Sequence, residues 1–94
     1  MIWKVRYHKE VTQDLDQLGR AEARRVLRVI EKRIINGEPE KSGKALRGHL
    51  AGCRRIRAGD LRIVYRINGT EILLVLCVGP RRDDEVYDIA QSRV

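Results

Sequence analysis

Apolar and polar residues alternate from Ile2 to Tyr7, with Trp3, Val5 and Tyr7 on one side and Ile2, Lys4 and Arg6 on the other. That is the two-residue period of a half-buried strand. The period then lengthens. Val11, Leu15 and Leu18 recur at helical spacing and Gly19 supplies a stop, which predicts a first helix over His8 to Leu18. From Ala21, the positions Ala23, Val26, Leu27, Ile30 and Ile34 form an apolar stripe on a second helix that ends at Gly37. The two helices read as an α-hairpin. The charges on the second, including Arg24, Arg25, Arg28, Lys32 and Arg33, read as a solvated outer face rather than as RNA contacts. Residues Gly37 to Gly48, with Pro39 and Ser42, form the longest loop.

Beyond this loop the pattern changes to short strands joined by two-residue turns. Gly59-Asp60 separates Cys53–Ala58 from Leu61–Ile67, and Asn68-Gly69 separates the latter from Thr70–Gly79. These are strong local hairpin signals, and they predict a three-stranded meander. The last strand is apolar at every position from Ile72 to Val78, as expected of an interior strand covered on both faces. Pro80 ends it, and Asp83-Asp84 can cap a short C-terminal helix carrying Val86, Ile89 and Ala90. The expected fold is α+β: an N-terminal strand and an α-hairpin packed on an antiparallel sheet, with a C-terminal meander and a short C-terminal helix. All 94 residues are expected to form one domain.

Two-residue turns also set registers, because residues opposite each other in an antiparallel pair point to the same face. Ala58 should face Leu61, and Arg57 should face Arg62. Ile56, Ala58, Leu61, Ile63, Tyr65 and Ile67 form an apolar set suited to packing under the helices, with the Tyr65 hydroxyl finding a local partner. Arg55, Arg57, Arg62 and Arg66 then lie on the opposite, outward face, with Glu71 across from Arg66 as an ordinary ion pair. Arg54 points to the other side and snorkels at the sheet edge. Like charges placed opposite each other on a sheet are destabilising. A polyanion laid across Arg57 and Arg62 would offset that, since guanidiniums bind phosphate oxygens through forked, charge-assisted hydrogen bonds.

Composition sharpens this reading. The chain is 43% hydrophobic but only 4% aromatic, without Phe, so aliphatic residues must fill its core. Lys and Arg number 20 against 13 Asp and Glu, a net charge of +7. Much of that charge is concentrated: residues 54 to 82 hold seven arginines against Asp60 and Glu71. Arg81 and Arg82 follow the last strand and so arrive at the same end of the sheet. Such a field draws polyanions, nucleic acid first among them. No stretch is long and apolar enough to span a bilayer and no signal-peptide pattern opens the chain, so a cytoplasmic protein without a membrane partner is expected. Cys53 and Cys77 make neither a disulfide framework nor a metal-ligand spacing with His8 or His49, and both read as small buried residues. No metal or other cofactor is expected.

RNA can be cut without a metal or a catalytic histidine when its own 2′-hydroxyl attacks the adjacent phosphate. The enzyme then needs a base, an acid and groups that stabilise the pentavalent phosphorane. Arginines can stabilise, and a tyrosine surrounded by guanidiniums can serve as the base because they favour the phenolate. Tyr87, beside Arg81 in sequence, fits this role. From the pattern alone, it fits equally well a ring packed on the sheet.

The runs Lys44-Ala-Leu-Arg-Gly48, Cys53-Arg-Arg-Ile-Arg-Ala-Gly-Asp-Leu-Arg-Ile-Val-Tyr65 and Val78-Gly-Pro-Arg-Arg-Asp-Asp-Glu-Val-Tyr87 resemble, in order and spacing, the RelE branch of the RelE/ParE toxin superfamily. The resemblance covers nearly the whole chain and implies the RelE-like microbial RNase fold. It implies the toxin of a type II toxin–antitoxin system, a metal-independent endoribonuclease that enters the A site of the 70S ribosome, contacts 16S rRNA and cleaves the mRNA there, inhibiting translation. It also implies a RelB-like antitoxin as partner. Carried over by motif, the family's basic pair falls on Arg55 and Arg57, its next-strand arginine on Arg62, its acid on Arg81 and its base on Tyr87; Arg82, by its place after the last strand, is expected to be a further RNA contact. The sequence departs from that branch in having arginine for lysine at Arg55 and Arg57, a shorter first hairpin, and Pro80 before Arg81. Two other readings stand beside this one: a ParE-like inhibitor of DNA gyrase on the same fold, and a nucleic-acid-binding module without catalysis.

Overall fold

A computed structural model describes residues 4–68, 72–80 and 83–93 of the chain. The first strand, β1 (Lys4–Tyr7), is followed by α1 (Val11–Leu18) and α2 (Arg20–Ile30), and α2 continues into a π-helical turn at Glu31–Ile35. Next come a two-residue strand, β2 (Lys44–Ala45), and a 3-10 turn at Gly48–Leu50. The meander consists of β3 (Cys53–Ala58), β4 (Leu61–Asn68) and β5 (Ile72–Pro80), and α3 (Asp83–Arg93) closes the chain. This is the expected α+β arrangement, with β2 as an addition inside the predicted loop. Among the described residues the strands form one sheet in the order β1-β5-β4-β3-β2, antiparallel except that β1 runs parallel to β5.

Local chemistry explains the boundaries. α1 starts later than the apolar period suggested, because His8 forms a turn of its own: its carbonyl accepts from Val11 N–H at 2.9 Å and its Nδ1 from Glu10 N–H at 3.1 Å. Gly19, at φ 86°, ends α1 and lets α2 start at once. The first hairpin has the predicted register, Arg57 opposite Arg62 and Ala58 opposite Leu61. Its turn places Gly59 at φ 62°, which L side chains rarely adopt, directly beneath the Arg25 guanidinium.

The second hairpin differs from expectation. β4 runs on to Asn68, which pairs with Ile72, and Arg66 lies opposite Leu74, not Glu71. A bulge contributes to the shift: Val64 pairs with Cys77 but Tyr65 with Val75, so β5 spends one extra residue. Glu71 and the predicted Asn68-Gly69 turn fall largely outside the described residues, as does Trp3.

The sheet has a core on each face. On one, Val11, Val26, Ile30 and Ile34 pack against Ile56, Ala58, Leu61, Ile63, Tyr65 and Val78. Leu27, predicted to share this stripe, lies at its edge and is 43% exposed, and Tyr7 is exposed at the end of β1. On the other face Leu50, Cys53 and Val64 pack against Val86 and Ala90 of α3, while Ile89, predicted to join them, is exposed. Burying a valine contributes about 1.5–3 kcal/mol and an alanine less, so apolar contact alone holds α3 modestly.

Around the sheet edge, where β1 ends, a polar contact joins the two faces. The pairing of β1 with β5 runs from Lys4↔Ile72 and stops at Tyr7↔Val75, and farther along the Val78 N–H donates to Asp14 Oδ2 of α1 at 3.2 Å. Arg93, in the last turn of α3, donates to both oxygens of the same carboxylate, from Nη1 to Oδ2 at 2.6 Å and from Nη2 to Oδ1 at 3.0 Å. Its Nε lies 3.3 Å from Glu10 Oε2.

Tyr65 fastens the long loop. Its buried hydroxyl lies 2.6 Å from the Pro39 carbonyl and 3.1 Å from that of Ser42. Arg54, expected to snorkel, donates from Nε to the Ser42 carbonyl at 2.8 Å. Burial pushes the Tyr65 hydroxyl above the ordinary value of 10.0, against the opposing pull of the Arg54 charge. A raised folded-state pKa means that the stability it contributes is complete below the unfolded value and is lost as pH rises toward the folded one. Tyr65→Phe should therefore lower stability by about 1–3 kcal/mol at neutral pH. Urea melts at increasing pH should show the wild type losing part of this advantage above pH 10.0.

Candidate functional site

The site is built on the β3–β4 hairpin. Side chains on alternate positions share a face, so Cys53, Arg55 and Arg57 of β3 stand beside Arg66, Val64 and Arg62 of β4, paired in that order. This face is not simply outward, as the sequence suggested. Because α3 and the 3-10 turn cover part of it, Arg55 and Arg62 are each only 8% exposed, while Arg57 and Arg66 remain exposed. The apolar residues between the arginines, Cys53 and Val64, are what draws the helix there. The Arg62 Nη1 donates to the Leu61 carbonyl at 3.3 Å.

The position of α3 decides where Tyr87 goes. Val86 and Ala90, four residues apart, seat the helix on the face that carries the arginines, and Tyr87 packs half-buried on the same small core. The ring lines a groove of about 600 Å³ with Lys44, Ala45, Leu46 and Arg47. Sequence reasoning missed this wall as a structural element, because a two-residue strand is too short to show a period. β2 nevertheless places Lys44 directly opposite Arg55 and Ala45 opposite Arg54, and the Leu46 N–H donates to the Cys53 carbonyl at 3.0 Å. Arg55 is thus met across the strand by a second cation, as Arg62 is met by Arg57. Arg81 and Arg82 lie outside the described residues. The structure therefore brings Arg55, Arg57, Arg62 and Tyr87 to one face, with Lys44 and Arg47 added at its rim.

The model of the ParE toxin family, toxins of type II toxin–antitoxin systems of the parDE kind, matches residues 5–85. The chain belongs to this family. The toxin is also similar to a chain of the RelBE2 toxin–antitoxin complex of Mycobacterium tuberculosis, with a TM-score of 0.77 and 29% identity over 86% of this chain and 100% of that one. It has the fold of a free-state double arginine-to-alanine mutant of the E. coli toxin RelE, with a TM-score of 0.78 and 23% identity over 100% and 99% of the two chains. No curated protein matches its sequence. Membership of the RelE/ParE superfamily, which the sequence motifs suggested, is thereby established, and with it the general role of the toxin of a type II system.

The remaining candidates have ordinary structural surroundings. Burial raises the Cys53 thiol, with the Arg66 charge across the strand pair pulling the other way, so Cys53 serves as a small apolar residue of the toxin's second core. Cys77 lies on β5, and its side chain is outside the described part. The α2 cations are exposed, and Arg25 pairs with Glu22 at 3.5 Å. Among the described residues no helix is long and apolar enough to cross a membrane.

The Arg57–Arg62 pair yields a prediction of opposed signs. Arg57→Gln removes a cross-strand repulsion and should raise stability by about 0.2–1 kcal/mol in urea melts. With a polyanion such as RNA laid across the pair, the same substitution should weaken binding and flatten its dependence on salt concentration.

Proposed function

We propose that the toxin is a metal-independent endoribonuclease that cleaves mRNA in the ribosomal A site. The observation that carries this reading is that α3 seats Tyr87 on the sheet face shared by Arg55, Arg57 and Arg62, beside the groove walled by Lys44 to Arg47. In the proposed reaction Tyr87 takes the proton of the 2′-hydroxyl, whose oxygen bonds to the adjacent phosphorus. The bond to the 5′-oxygen breaks, and Arg81 supplies the proton to that leaving group. The products are a 2′,3′-cyclic phosphate and a 5′-hydroxyl. Arg55, Arg57 and Arg62 hold the phosphate and offset the charge that builds on the phosphorane, and Arg82 holds the flanking strand. Partial burial of Arg55 and Arg62 strengthens their field at the phosphate, since little water competes there. Arginine where RelE-like toxins carry lysine keeps the charge but changes reach and geometry, which bears on codon preference.

The ribosome enters this proposal through the resemblance to RelE-like toxins, as does the cytoplasm as the place of action. A RelB-like antitoxin enters in the same way. Its counter-charge would suit the arginine face, and the M. tuberculosis neighbour is itself part of an antitoxin complex. A co-expressed acidic antitoxin should co-purify through a tag on the toxin. The family model that matches is that of ParE toxins, which makes gyrase inhibition the second reading.

The deciding experiment is cleavage of mRNA with and without programmed ribosomes, with purified gyrase assayed in parallel. Wild-type toxin should cut in the A-site codon, Tyr87→Phe and Arg81→Ala should each slow cleavage by at least about 10²-fold, and supercoiling should be unaffected. Intact mRNA with blocked supercoiling would replace this reading by the second.

A further inference from the structure

We propose that Asp14, far from the candidate centre, is a positioning residue for it, acting through Arg93. The inference rests on the RNA-cleaving reading and concerns how the centre is held in register. Two of its groups, Arg81 and Tyr87, follow β5 and ride on α3, and Asp14 is bonded to both of those elements.

The first bond satisfies a need of the sheet. Once β1 has ended, β5 has no strand beside it on that edge, and a buried backbone N–H there is costly unless something accepts its proton. Val78 is 3% exposed, and Asp14 accepts from its N–H. Val78 stands three residues before Arg81, so this bond fixes the end of the strand from which Arg81 departs.

The second bond joins opposite layers. α1 belongs to the face covered by the helical hairpin and α3 to the other, yet Arg93 reaches round the edge and grips the Asp14 carboxylate with both terminal nitrogens. The two side chains are 9% and 12% exposed, so the pair is not a solvated surface contact. Its geometry, two parallel bonds between planar groups, resists both sliding and rotation of the helix. The apolar contacts do not. Val86 and Ala90, the buried residues of α3 among those described, are small, and a helix seated on them with a half-buried Tyr87 can slide or roll while remaining docked. Val86, Ala90 and Arg93 lie on one stripe, and Tyr87 sits at the margin of that stripe, where rolling displaces it most. Misplacing a reacting group by about 1 Å can cost about 10²-fold in rate.

The test uses Arg93→Gln, which leaves Asp14 to serve the Val78 N–H, and Asp14→Asn, whose amide oxygen can still accept from it. Arg93→Lys, able to keep the charge without the fork, serves as the conservative variant. Each is assayed for ribosome-dependent cleavage, with rates referred to the folded fraction measured by near-ultraviolet circular dichroism. Hydrogen exchange of the α3 amides and the Tyr87 ring signals in nuclear magnetic resonance are followed alongside. The expected result is a kcat lowered about 10–100-fold in the Gln and Asn variants with KM within twofold of wild type, partial rescue in Arg93→Lys, and faster α3 exchange. A merely structural role would lower the folded fraction and leave kcat per folded molecule unchanged, and that result overturns the proposal. Should wild-type toxin not cleave at all, the RNA-cleaving reading falls separately. The Tyr87 ring signal of Arg93→Gln then decides: shifted or doubled, it upholds positioning by the pair; unchanged, it refutes it.

Discussion

A β-strand with neighbours on both edges and helices on both faces has no solvent side, and in this toxin that strand is β5. Its partners β1 and β4 take up its backbone groups, α1 packs on one face, and α3 packs on the other. Covering the second face is the demanding part, because the same face of the hairpin must carry the arginines. The small core of Leu50, Cys53, Val64, Val86 and Ala90 meets this demand with little apolar area, and it leaves Arg55 and Arg62 partly desolvated at its margin. Burying a guanidinium opposes folding unless the charge is compensated.

The sequence revealed whatever depended on short-range geometry. The glycine turn at Gly59-Asp60 set the Arg57–Arg62 register, and the alternation around Ile56, Ile63 and Tyr65 identified the face that packs beneath the helices. What it concealed had physical causes. The parallel pairing of β1 with β5 leaves no local trace, and neither does a two-residue strand. The bulge at Val64/Tyr65 shifted the second hairpin from the register that a two-residue turn would impose, and so separated Arg66 from the expected Glu71. The arginine side was read as solvent-facing because Arg55, Arg57, Arg62 and Arg66 share it while the opposite side carries the apolar set of Ile56, Ala58, Leu61, Ile63, Tyr65 and Ile67. Only the docked helix reveals that the intervening Cys53 and Val64 outweigh those charges in choosing what covers the sheet. Nothing in the local pattern singles out Asp14 either, because its two partners, Val78 and Arg93, are far away in sequence.

Superfamily membership leaves the choice of target open, and the structure makes the reason clear. The hairpin of helices and the meander enclose the larger of the two cores. The groups that would separate an RNA-cutting toxin from a gyrase poison are a few side chains at one end of the sheet and one tyrosine on the last helix. A change there costs the fold little, so one architecture can host either activity.

The parallel ladder from Lys4↔Ile72 to Tyr7↔Val75 joins β1 to a strand far along the chain and places β5 at the interior of the sheet. β1 therefore has no partner until β5 has been synthesised. Non-local pairing of this kind also slows folding, because a long loop must close before any contact repays it. A nascent chain of this design cannot assemble its sheet while β5 is still within the ribosomal tunnel. The toxin's topology thus imposes a delay between the synthesis of β1 and the first molecule with a complete sheet.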